Sequence, residues 1–399
     1  MPRCATLLLF VCMFLPHFSP LVRAADAWRA EILPIELGVG YAVLSLDING
    51  DGKLDIAIAD SKRYVWIENP TWQTHVMQAT PDAKQDNVCF APFDVDGDGH
   101  VDFAIGHDWQ FNNSDSGGGI GWLQSPADPR QPWKYRPLAE EPTTHRMRWC
   151  DWDHDGKMDL VVAPLKGKHS KAPAFQEAGI RLLSFTPDPS KAFELWPMRV
   201  IDDSLHVMHN FDVVDLNTDG KQELLAASFE GVTHLVQTAT GIVRTQMGTG
   251  QTGEAPAIGS SEIRLGTLGR KKYIATIEPW HGDKVVVYTE PASNDAVWTR
   301  HVIDEQLKWG HAVSVANIDG DPEQELIIGV RDTLNDQHRS GVRIFDPISP
   351  QDGKWDRRLL EPGQVAVEDL ATGDFDNDGD IDIVAVGRAT HNAVIYWNE

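Results

Sequence analysis

The stretch Asp47-Ile-Asn-Gly-Asp-Gly-Lys-Leu-Asp55 runs directly into the apolar segment Ile56–Ala59, and this pair decides the fold. Oxygen-bearing side chains stand at loop positions 1, 3, 5 and 9, and glycine stands at position 6. Hard cations such as Ca²⁺ take six to eight oxygen ligands, which a tight acidic loop supplies from one short segment. The short β-branched run that follows is typical of a strand. The pair therefore predicts a calcium loop between two strands.

Five more copies of this loop occur, at 94–102, 151–159, 215–223, 317–325 and 374–382. The copy at 317–325 departs most from the pattern, since Asn317 opens it and Pro322 replaces the glycine. An EF-hand needs Glu at position 12 and a helix after it, whereas position 12 is Ile58 in the first loop and Ala226 in the fourth. We predict up to six Ca²⁺ ions, with ligands from Asp47, Asn49, Asp51, Lys53, Asp55, Asp94, Asp96, Asp98, His100, Asp102, Asp151, Asp153, Asp155, Lys157, Asp159, Asp215, Asn217, Asp219, Lys221, Glu223, Asn317, Asp319, Asp321, Glu323, Glu325, Asp374, Asp376, Asp378, Asp380 and Asp382.

The spacing of the loops counts the structural repeats. Successive loops start 47, 57, 64, 102 and 57 residues apart, so the long step hides one further copy. Aligning Lys271–Ile277 with Lys53–Ala59 places the start of that copy at Leu265, in a turn without carboxylates. Seven units of about fifty residues match the length of a four-stranded propeller blade. The fold class predicted is an all-β, seven-bladed β-propeller.

A second repeat marks the outer strands of the blades. It begins at a tryptophan late in each of five units, namely Trp72, Trp133, Trp196, Trp298 and Trp355. The chain ends at a third strand, Ala393–Trp397, and the segment Trp28–Leu33 has the pattern of the missing outer strand. We therefore predict that the N-terminal strand completes the last blade and closes the ring, which removes exposed sheet edges.

These loops and strands resemble FG-GAP/VCBS repeats, the family of integrin-type propellers and many secreted bacterial proteins. The resemblance covers nearly the whole of residues 25–399 and implies the propeller fold and bound calcium. It leaves the function open, because this fold carries both adhesion modules and enzymes.

Composition and targeting restrict the class of partner. Residues 1–24 have the pattern of a secretory signal peptide, with Arg3, a short apolar stretch and a small-residue cleavage site at Ala24, so we expect a secreted protein, extracellular or periplasmic. The net charge of −24 argues against nucleic acid or an anionic membrane as a partner. Beyond the signal the cysteines are Cys89 and Cys150, for which two buried thiols and a disulfide both remain open.

Candidate functional residues gather on the face opposite the calcium loops. Six residues before each loop start stand Tyr41, Val88, His145, His209, Gly259, His311 and Glu368, which a propeller would place in a ring around its channel. Arg146 and Trp309 are neighbours of this ring in sequence. The loops after the second strands add His107, Trp109, Lys166, Trp280, His281, Arg331 and Arg388. Imidazole is the usual acid or base near neutral pH, and guanidinium suits carboxylates and oxyanions.

The first functional hypothesis is a carbohydrate-acting enzyme. Such a face is similar to the propeller of aldos-2-ulose dehydratase and to seven-bladed polysaccharide lyases, and this resemblance implies proton abstraction next to a carbonyl or carboxylate, then elimination. His145 or His209 would be the base, Arg146 or a metal would stabilise the developing charge, and His311 or Tyr41 would return a proton. A variant of this hypothesis places Zn²⁺ at the channel mouth on His145, His209 and His311. Contacts to a keto-sugar or other carbohydrate would come from His107, Trp109, Lys166, Trp280, His281, Trp309, Arg331 and Glu368.

The second hypothesis is a non-catalytic module that binds a cell-surface glycan or a protein. It uses the same face, with the indoles of Trp109, Trp280 and Trp309 as platforms. Glycan binding without turnover would distinguish this module from an enzyme.

Overall fold

A computed structural model describes residues 28–79, 86–291, 298–360 and 363–399. The predicted signal peptide at 1–24 lies outside these residues. The strands are β1 (Trp28–Ile32), β2 (Gly40–Leu46), β3 (Asp55–Asp60), β4 (Arg63–Glu68), β5 (Gln73–Ala79), β6 (Cys89–Phe93), β7 (Asp102–His107), β8 (Gly119–Gln124), β9 (Lys134–Glu140), β10 (Thr144–Cys150), β11 (Asp159–Pro164), β12 (Leu182–Phe185), β13 (Met198–Asp202), β14 (Asn210–Val214), β15 (Glu223–Ser228), β16 (Gly231–Thr238), β17 (Gly241–Gly248), β18 (Ile263–Leu268), β19 (Lys271–Glu278), β20 (Lys284–Thr289), β21 (Thr299–Asp304), β22 (Gly310–Ala316), β23 (Glu325–Val330), β24 (Gly341–Ser349), β25 (Lys354–Leu359), β26 (Val367–Gly373), β27 (Asp382–Gly387) and β28 (Ala393–Asn398).

Seven antiparallel sheets of four strands form the blades of a propeller, as the repeat spacing predicts. Blades one to six follow chain order, from β2–β5 to β22–β25. The seventh blade has the strand order β1-β28-β27-β26, so the N-terminal strand closes the ring. Its register pairs Trp28 with Asn398 and Ile32 with Val394, which confirms the predicted closure. Within the described ranges the helices are short 3₁₀ turns at Pro189–Lys191 and Pro350–Asp352, and no helix there could cross a bilayer.

The second strand of each blade is the centre of its core. All six residues of β3, β15 and β23 are buried, because a blade packs against a neighbour on each face. Between blades seven and one, for example, Ile56 and Ile58 share an apolar cluster with Val384 and Trp397. Each fully buried aliphatic side chain of this kind contributes about 1.5–3 kcal/mol. This packing gives the rigid ring on which the loops stand.

Among the described residues, Cys89 and Cys150 are buried free thiols, which settles the alternative that the sequence leaves open. Burial raises the pKa of both Cys89 and Cys150 to about 12, so neither thiol is a reactive nucleophile.

Blade five corrects one feature of the predicted alignment. Leu265 lies inside β18, and the hairpin between β18 and β19 is a tight turn in which Leu268 pairs with Lys271. In blade one, Asp55 pairs with Leu46, nine residues earlier, whereas the equivalent Tyr273 pairs with Gly266, seven residues earlier. The turn is therefore two residues shorter than a calcium loop. The ring position in blade five belongs to Ser261, not Gly259, and the next position belongs to Glu262.

Candidate functional site

Opposite the loops that precede the second strands, the propeller carries a pocket of about 840 Å³. The starts of the first strands and the loops after the second strands line it in several blades, as the repeat register predicts. Predicted site residues in the wall are Tyr41, Trp109, His145, His209, Trp280, His281, Trp309, His311, Arg331, Glu368 and Arg388. Apolar contributions include Phe111, Leu165, Pro256, Pro279 and Leu307. A partly apolar cavity with a few convergent polar groups has the character of a small-molecule site.

Four imidazoles meet at the base of this pocket. The ring of His209 lies 4.7 Å from that of His145, 4.6 Å from that of His281 and 5.0 Å from that of His311, measured between centroids. His145, His209 and His311 come from the first strands or strand entries of blades three, four and six, whereas blade five supplies His281 from the loop after its second strand. Burial lowers the pKa of all four, so the native protein keeps them neutral.

Each ring-register histidine is oriented through its Nδ1 atom. His209 Nδ1 lies 2.6 Å from the carboxylate of Glu262. His311 Nδ1 lies 2.7 Å from the carbonyl oxygen of Glu368, and His145 Nδ1 lies 3.1 Å from that of His209. Because carbonyl oxygen only accepts, Nδ1 of His145 and His311 carries the proton, and Nε2 keeps its lone pair. The arrangement therefore presents basic ring nitrogens to the pocket.

Three of these imidazoles have the geometry of metal ligands. Nitrogen atoms of His209, His281 and His311 all lie within 4.8 Å of one another, and the Nε2 atoms of His209 and His281 are 2.8 Å apart. Metal-binding histidines usually donate their other N–H to a carboxylate or a backbone carbonyl, which matches the Glu262 and Glu368 contacts. The predicted zinc set is corrected in one member: His281 joins it, and His145 stands beside it with Nδ1 directed at a carbonyl.

Glu262 is a site residue that the sequence reasoning missed. Its side chain is buried and receives a hydrogen bond from the amide of Asn210, and Arg146 Nη2 lies 3.5 Å away. Burial alone would raise the pKa of Glu262, but His209 and Arg146 bring it below the ordinary value. The signal that would reveal it is the position directly after each ring residue, where Arg146, Asn210 and Asp369 are also polar, once the shorter turn of blade five is allowed for.

Glu368 is the second buried carboxylate, and two guanidiniums face it. Arg388 Nη1 lies 2.7 Å from one carboxylate oxygen and Arg331 Nη1 lies 3.9 Å from the other. Burial raises the pKa of Glu368, and the two arginines oppose that rise. The same guanidiniums cover aromatic rings, Arg331 over Trp309 at 4.4 Å and Arg388 over Tyr41 at 5.4 Å.

Indole rings wall the pocket above the imidazoles. The ring of Trp280 stacks on that of His281 with centroids 4.8 Å apart. The ring of Trp309 also lies near His281, with centroids 5.3 Å apart. Trp109 lies 5.9 Å from both Tyr41 and His145. His281 and Trp309 have left-handed backbones with φ of 50° and 59°, a costly conformation for such residues that is often found at functional sites.

Three predicted site residues lie elsewhere. Arg146 sits behind the pocket wall, where its Nη1 donates to the carbonyl of His145, so the guanidiniums that line the pocket are Arg331 and Arg388. His107 turns into its own blade, with Nε2 2.7 Å from the Tyr135 hydroxyl. Lys166 lines a neighbouring pocket. None of these three side chains lines the histidine pocket.

The acidic loops lie on the other face, and their geometry fits bound cations. Ligand oxygens of Asp94, Asp96 and Asp102 come within 4.8 Å of one another, and three further loops contain such groups. In all six loops the N–H of position 7 donates to the carboxylate of position 5. Carboxylate oxygens of Asp96, Asp151, Asp153 and Glu325 are buried and have no hydrogen-bond partner within the described residues, which is the environment a cation would satisfy.

Comparison with known proteins agrees with the fold and the repeats. A family model described as "FG-GAP-like repeat" matches residues 47–105. A second, "Aldos-2-ulose dehydratase, beta-propeller domain", matches residues 117–291. The FG-GAP-like match thus covers the acidic loops of blades one and two of the seven-bladed propeller. The aldos-2-ulose dehydratase of Phanerodontia chrysosporium is 25% identical to the propeller over 408 aligned residues, which cover 93% of the chain and 44% of that enzyme.

The propeller thus spans less than half the length of this curated relative. Solved structures of BBS1N in complex with ARL6DN resemble the propeller in fold. The mercury-soaked form has a TM-score of 0.52 at 13% identity, covering 94% of this chain and 96% of that one. The lead-soaked form has a TM-score of 0.55 at 14% identity, with the same coverage.

Proposed function

We propose that the propeller is a secreted carbohydrate dehydratase, a carbon–oxygen lyase that eliminates water from a keto-sugar bound over the histidine cluster. The observation that carries this proposal is the set of four buried, neutral imidazoles at the base of an indole-walled pocket. The similarity to aldos-2-ulose dehydratase supports the same reaction class.

His145 is the best placed general base. Its Nδ1–H donates to the carbonyl of His209, so Nε2 carries the lone pair, and this lone pair would take the proton next to the substrate carbonyl in place of its long contact with Arg146 Nη1. Arg146 Nη1 lies 3.3 Å from Nδ1 and 3.4 Å from Nε2, and this cation helps to keep the imidazole neutral before the reaction. Arg146 is thus a positioning residue.

Tyr41 is the best placed acid for the leaving hydroxyl. Its phenol donates to Asp86 Oδ2 at 2.6 Å, and burial followed by this hydrogen bond raises its pKa. The phenol therefore stays protonated across the neutral range, and the Arg388 guanidinium opposes the rise in its pKa and so favours release of the proton during the reaction. The nearby guanidinium of Arg388 can stabilise negative charge on the departing oxygen.

A transition metal such as Zn²⁺ would be held by His209, His281 and His311, with Glu262 and the Glu368 carbonyl fixing two of the rings. Bound there, it would act as a Lewis acid that polarises the substrate carbonyl. We also propose Ca²⁺ in the acidic loops, where it would stabilise the ring from the opposite face.

The three indoles favour a second candidate, a non-catalytic glycan- or protein-binding module. Flat aromatic faces such as those of Trp109, Trp280 and Trp309 offer large contact area for sugar rings at small entropic cost. In that case binding would depend on these rings and would survive replacement of His145.

The deciding experiment follows unsaturated-product absorbance when the protein is mixed with keto-sugars and, separately, with uronic-acid polysaccharides. We expect a rise with keto-sugars that falls by about 10²–10⁴-fold in His145→Gln and in Tyr41→Phe, the usual contribution of a general base or acid. The matched control is His301→Gln on the outer strand β21, which should keep full activity. Sugar binding without any absorbance rise would reject the enzyme in favour of the binding module.

A further inference from the structure

A second pocket of about 730 Å³ adjoins the first and shares Phe111, Pro256 and Trp280 with it. Its walls come from the inserts that follow the second strands of blades two and three. Lys166 opens the second insert directly beyond β11, and its residue is only 4% exposed. None of the roles assigned above to the histidine pocket uses this cavity.

The ammonium of Lys166 has no carboxylate partner within the described residues. Its Nζ donates to the carbonyl of Phe111 at 2.6 Å and lies 3.7 Å and 4.8 Å from the ring centroids of Phe111 and Phe175. The carboxylates that line the pocket are engaged elsewhere, Asp115 with His169 Nδ1 at 2.5 Å and Glu177 with the backbone N–H of Lys171 at 3.0 Å.

A buried lysine without a counterion is the kind that reacts as an amine. Burial lowers the pKa of Lys166 to about 8, because the low-dielectric surroundings disfavour the charged form. A substantial neutral fraction is then present near neutral pH, and a neutral lysine in an apolar pocket is the usual source of Schiff-base chemistry with carbonyl compounds. The two flanking rings would also face an iminium cation and stabilise it, as they do the ammonium.

We propose that the second pocket captures a small sugar carbonyl and that Lys166 forms a reversible covalent iminium with it. This inference goes beyond the proposed dehydratase reaction and stands or falls independently of the histidine cluster.

The step balances without an external reagent. The ammonium first releases a proton to water, and the neutral Nζ attacks the carbonyl carbon. A C–N bond forms, the carbonyl π electrons move to oxygen, and the oxygen takes a proton that nitrogen loses, which gives a carbinolamine. Protonation of that hydroxyl lets water leave with the C–O electrons, and the nitrogen lone pair forms the C=N bond. Addition of water reverses the sequence and releases the sugar.

The test traps the iminium in the full-length protein with dihydroxyacetone and sodium cyanoborohydride, followed by peptide mapping. Hydride transfer to the iminium carbon leaves a secondary amine, whose added mass is that of the sugar less one water plus two hydrogens. We expect Lys166 to be labelled at least about tenfold faster than the exposed Lys171, which lines the same pocket and serves as an internal control. Glycerol, which has no carbonyl, should give no adduct.

Variants separate chemistry from structure. Lys166→Arg keeps the charge and the cation–π contacts and cannot form an imine, so its adduct should vanish while Lys171→Arg leaves Lys166 labelling unchanged. Labelling of Lys166 at the same rate as exposed lysines in the wild-type protein would overturn the proposal, and that comparison does not depend on whether any variant folds. Loss of dehydratase activity in His145→Gln with Lys166 labelling intact would show that the two sites are distinct.

Discussion

At the scale of single residues, the carboxylate of Glu262 decides the orientation of His209. His209 Nδ1 lies 2.6 Å from this carboxylate, which Asn210 and Arg146 hold in place. His209 in turn contacts the other three imidazoles of the cluster. Glu262 therefore acts on the central ring of the cluster, whereas backbone carbonyls orient His145 and His311.

Replacing Glu262 by Gln should weaken the site without dismantling it. The amide has the same shape but removes the charge that holds the His209 N–H, and loss of such an orienting partner usually costs about 10–100-fold in activity or metal affinity. Turnover of keto-sugar and the content of tightly held metal measure the effect. Glu254→Gln at an exposed position is the matched control, and equal turnover in both variants would show that Glu262 has no orienting role.

Lys166 should have a distinctive pH profile. Its pKa of about 8 means that the neutral amine forms roughly two pH units earlier than in an ordinary lysine near 10.4. Arylation by 1-fluoro-2,4-dinitrobenzene, a reagent that does not itself titrate in this range, should therefore rise with pH and level off above about 8 at Lys166 when it is measured site by site. A rate that continues to rise towards pH 10 would show that the Lys166 amine is not perturbed.

Sequence register located the histidines, but it could not tell which ones would form a metal-type cluster. Counting from the loops places His145, His209 and His311 at one height, and the structure brings their rings together. His281 lies in a loop with a left-handed backbone, and nothing in its sequence neighbourhood fixes the direction of the ring. Side-chain direction on irregular segments depends on tertiary contacts, here the stacking on Trp280.

At the scale of elements, blade five shows how a lost metal loop is replaced. Its hairpin needs a left-handed residue, and Gly269 supplies it with φ of 62°. A Cβ at this position would meet only Glu323 Oε1 at 3.7 Å, so the space around it is adequate.

The substitution Gly269→Ala should therefore lower the free energy of unfolding by about 1–2 kcal/mol through backbone strain alone. Gly269→Asn should lose much less, since asparagine tolerates the left-handed region. Denaturant melts of both variants provide the measurement. Equal stability of the alanine variant and the wild type would mean that the turn can adopt another conformation.

This short turn also explains why Glu262 was missed. The copy in blade five lacks the carboxylates, and it can be recognised by its second strand, Lys271–Ile277. The length of its turn cannot be predicted, because a turn that encloses no cation can have any length. The other six blades share one loop length because a bound ion would require it, so register transfers between them. In blade five, counting back from the assumed loop start reaches Gly259 and not Ser261, two residues too far. Glu262, which follows Ser261, is therefore not recognised as a residue beside the ring.

We expect the six acidic loops to differ in their affinity for Ca²⁺. In blade two the carboxylates converge, and burial raises the pKa of Asp102 to about 7. The ionised form of Asp102 is therefore unfavourable there until a cation neutralises it. In blade four Glu223 already receives His234 Nε2 at 2.8 Å, and Lys272 Nζ donates to the carbonyl of Asp215 at 2.8 Å. These partners occupy groups that a cation would need.

Calorimetric titration of Ca²⁺ should accordingly lose one tight site in Asp102→Asn. The matched variant Glu223→Gln should leave the number of tight sites unchanged, because the loop of blade four is the weaker one. In thermal melts, chelation should lower Tm of the wild-type protein, since each site filled at 100 times its Kd contributes about 2.7 kcal/mol. A Tm that does not move in chelator would exclude calcium as a structural ligand.

At the scale of the whole molecule, the functional face depends on the closed ring. The cluster of imidazoles takes one ring from each of four blades, and Glu368 and Arg388 come from the blade that the N-terminal strand completes. Each blade packs the faces of its sheet against its two neighbours, so closure fixes the distances between side chains that meet across the channel, such as His209 and His311. A repeat array of this length without closure would leave two open sheet edges.

Removal of residues 28–32 should therefore both open the ring and disturb the histidine cluster. Five residue pairs between β1 and β28 are lost, at about 0.5–1.5 kcal/mol for each hydrogen bond, and the edge of β28 becomes available to a second copy. We expect a lower Tm, dimers or larger species in light scattering, and reduced turnover over the histidine cluster. Arg29→Ala is the control, because it removes the exposed ion pairs to Glu31 and Glu399 and the cation–π contact with Trp397 but keeps the backbone pairing of β1, so it should leave mass and turnover as they are. A truncated protein that remains monomeric with full turnover would show that six complete blades and three strands hold the channel on their own.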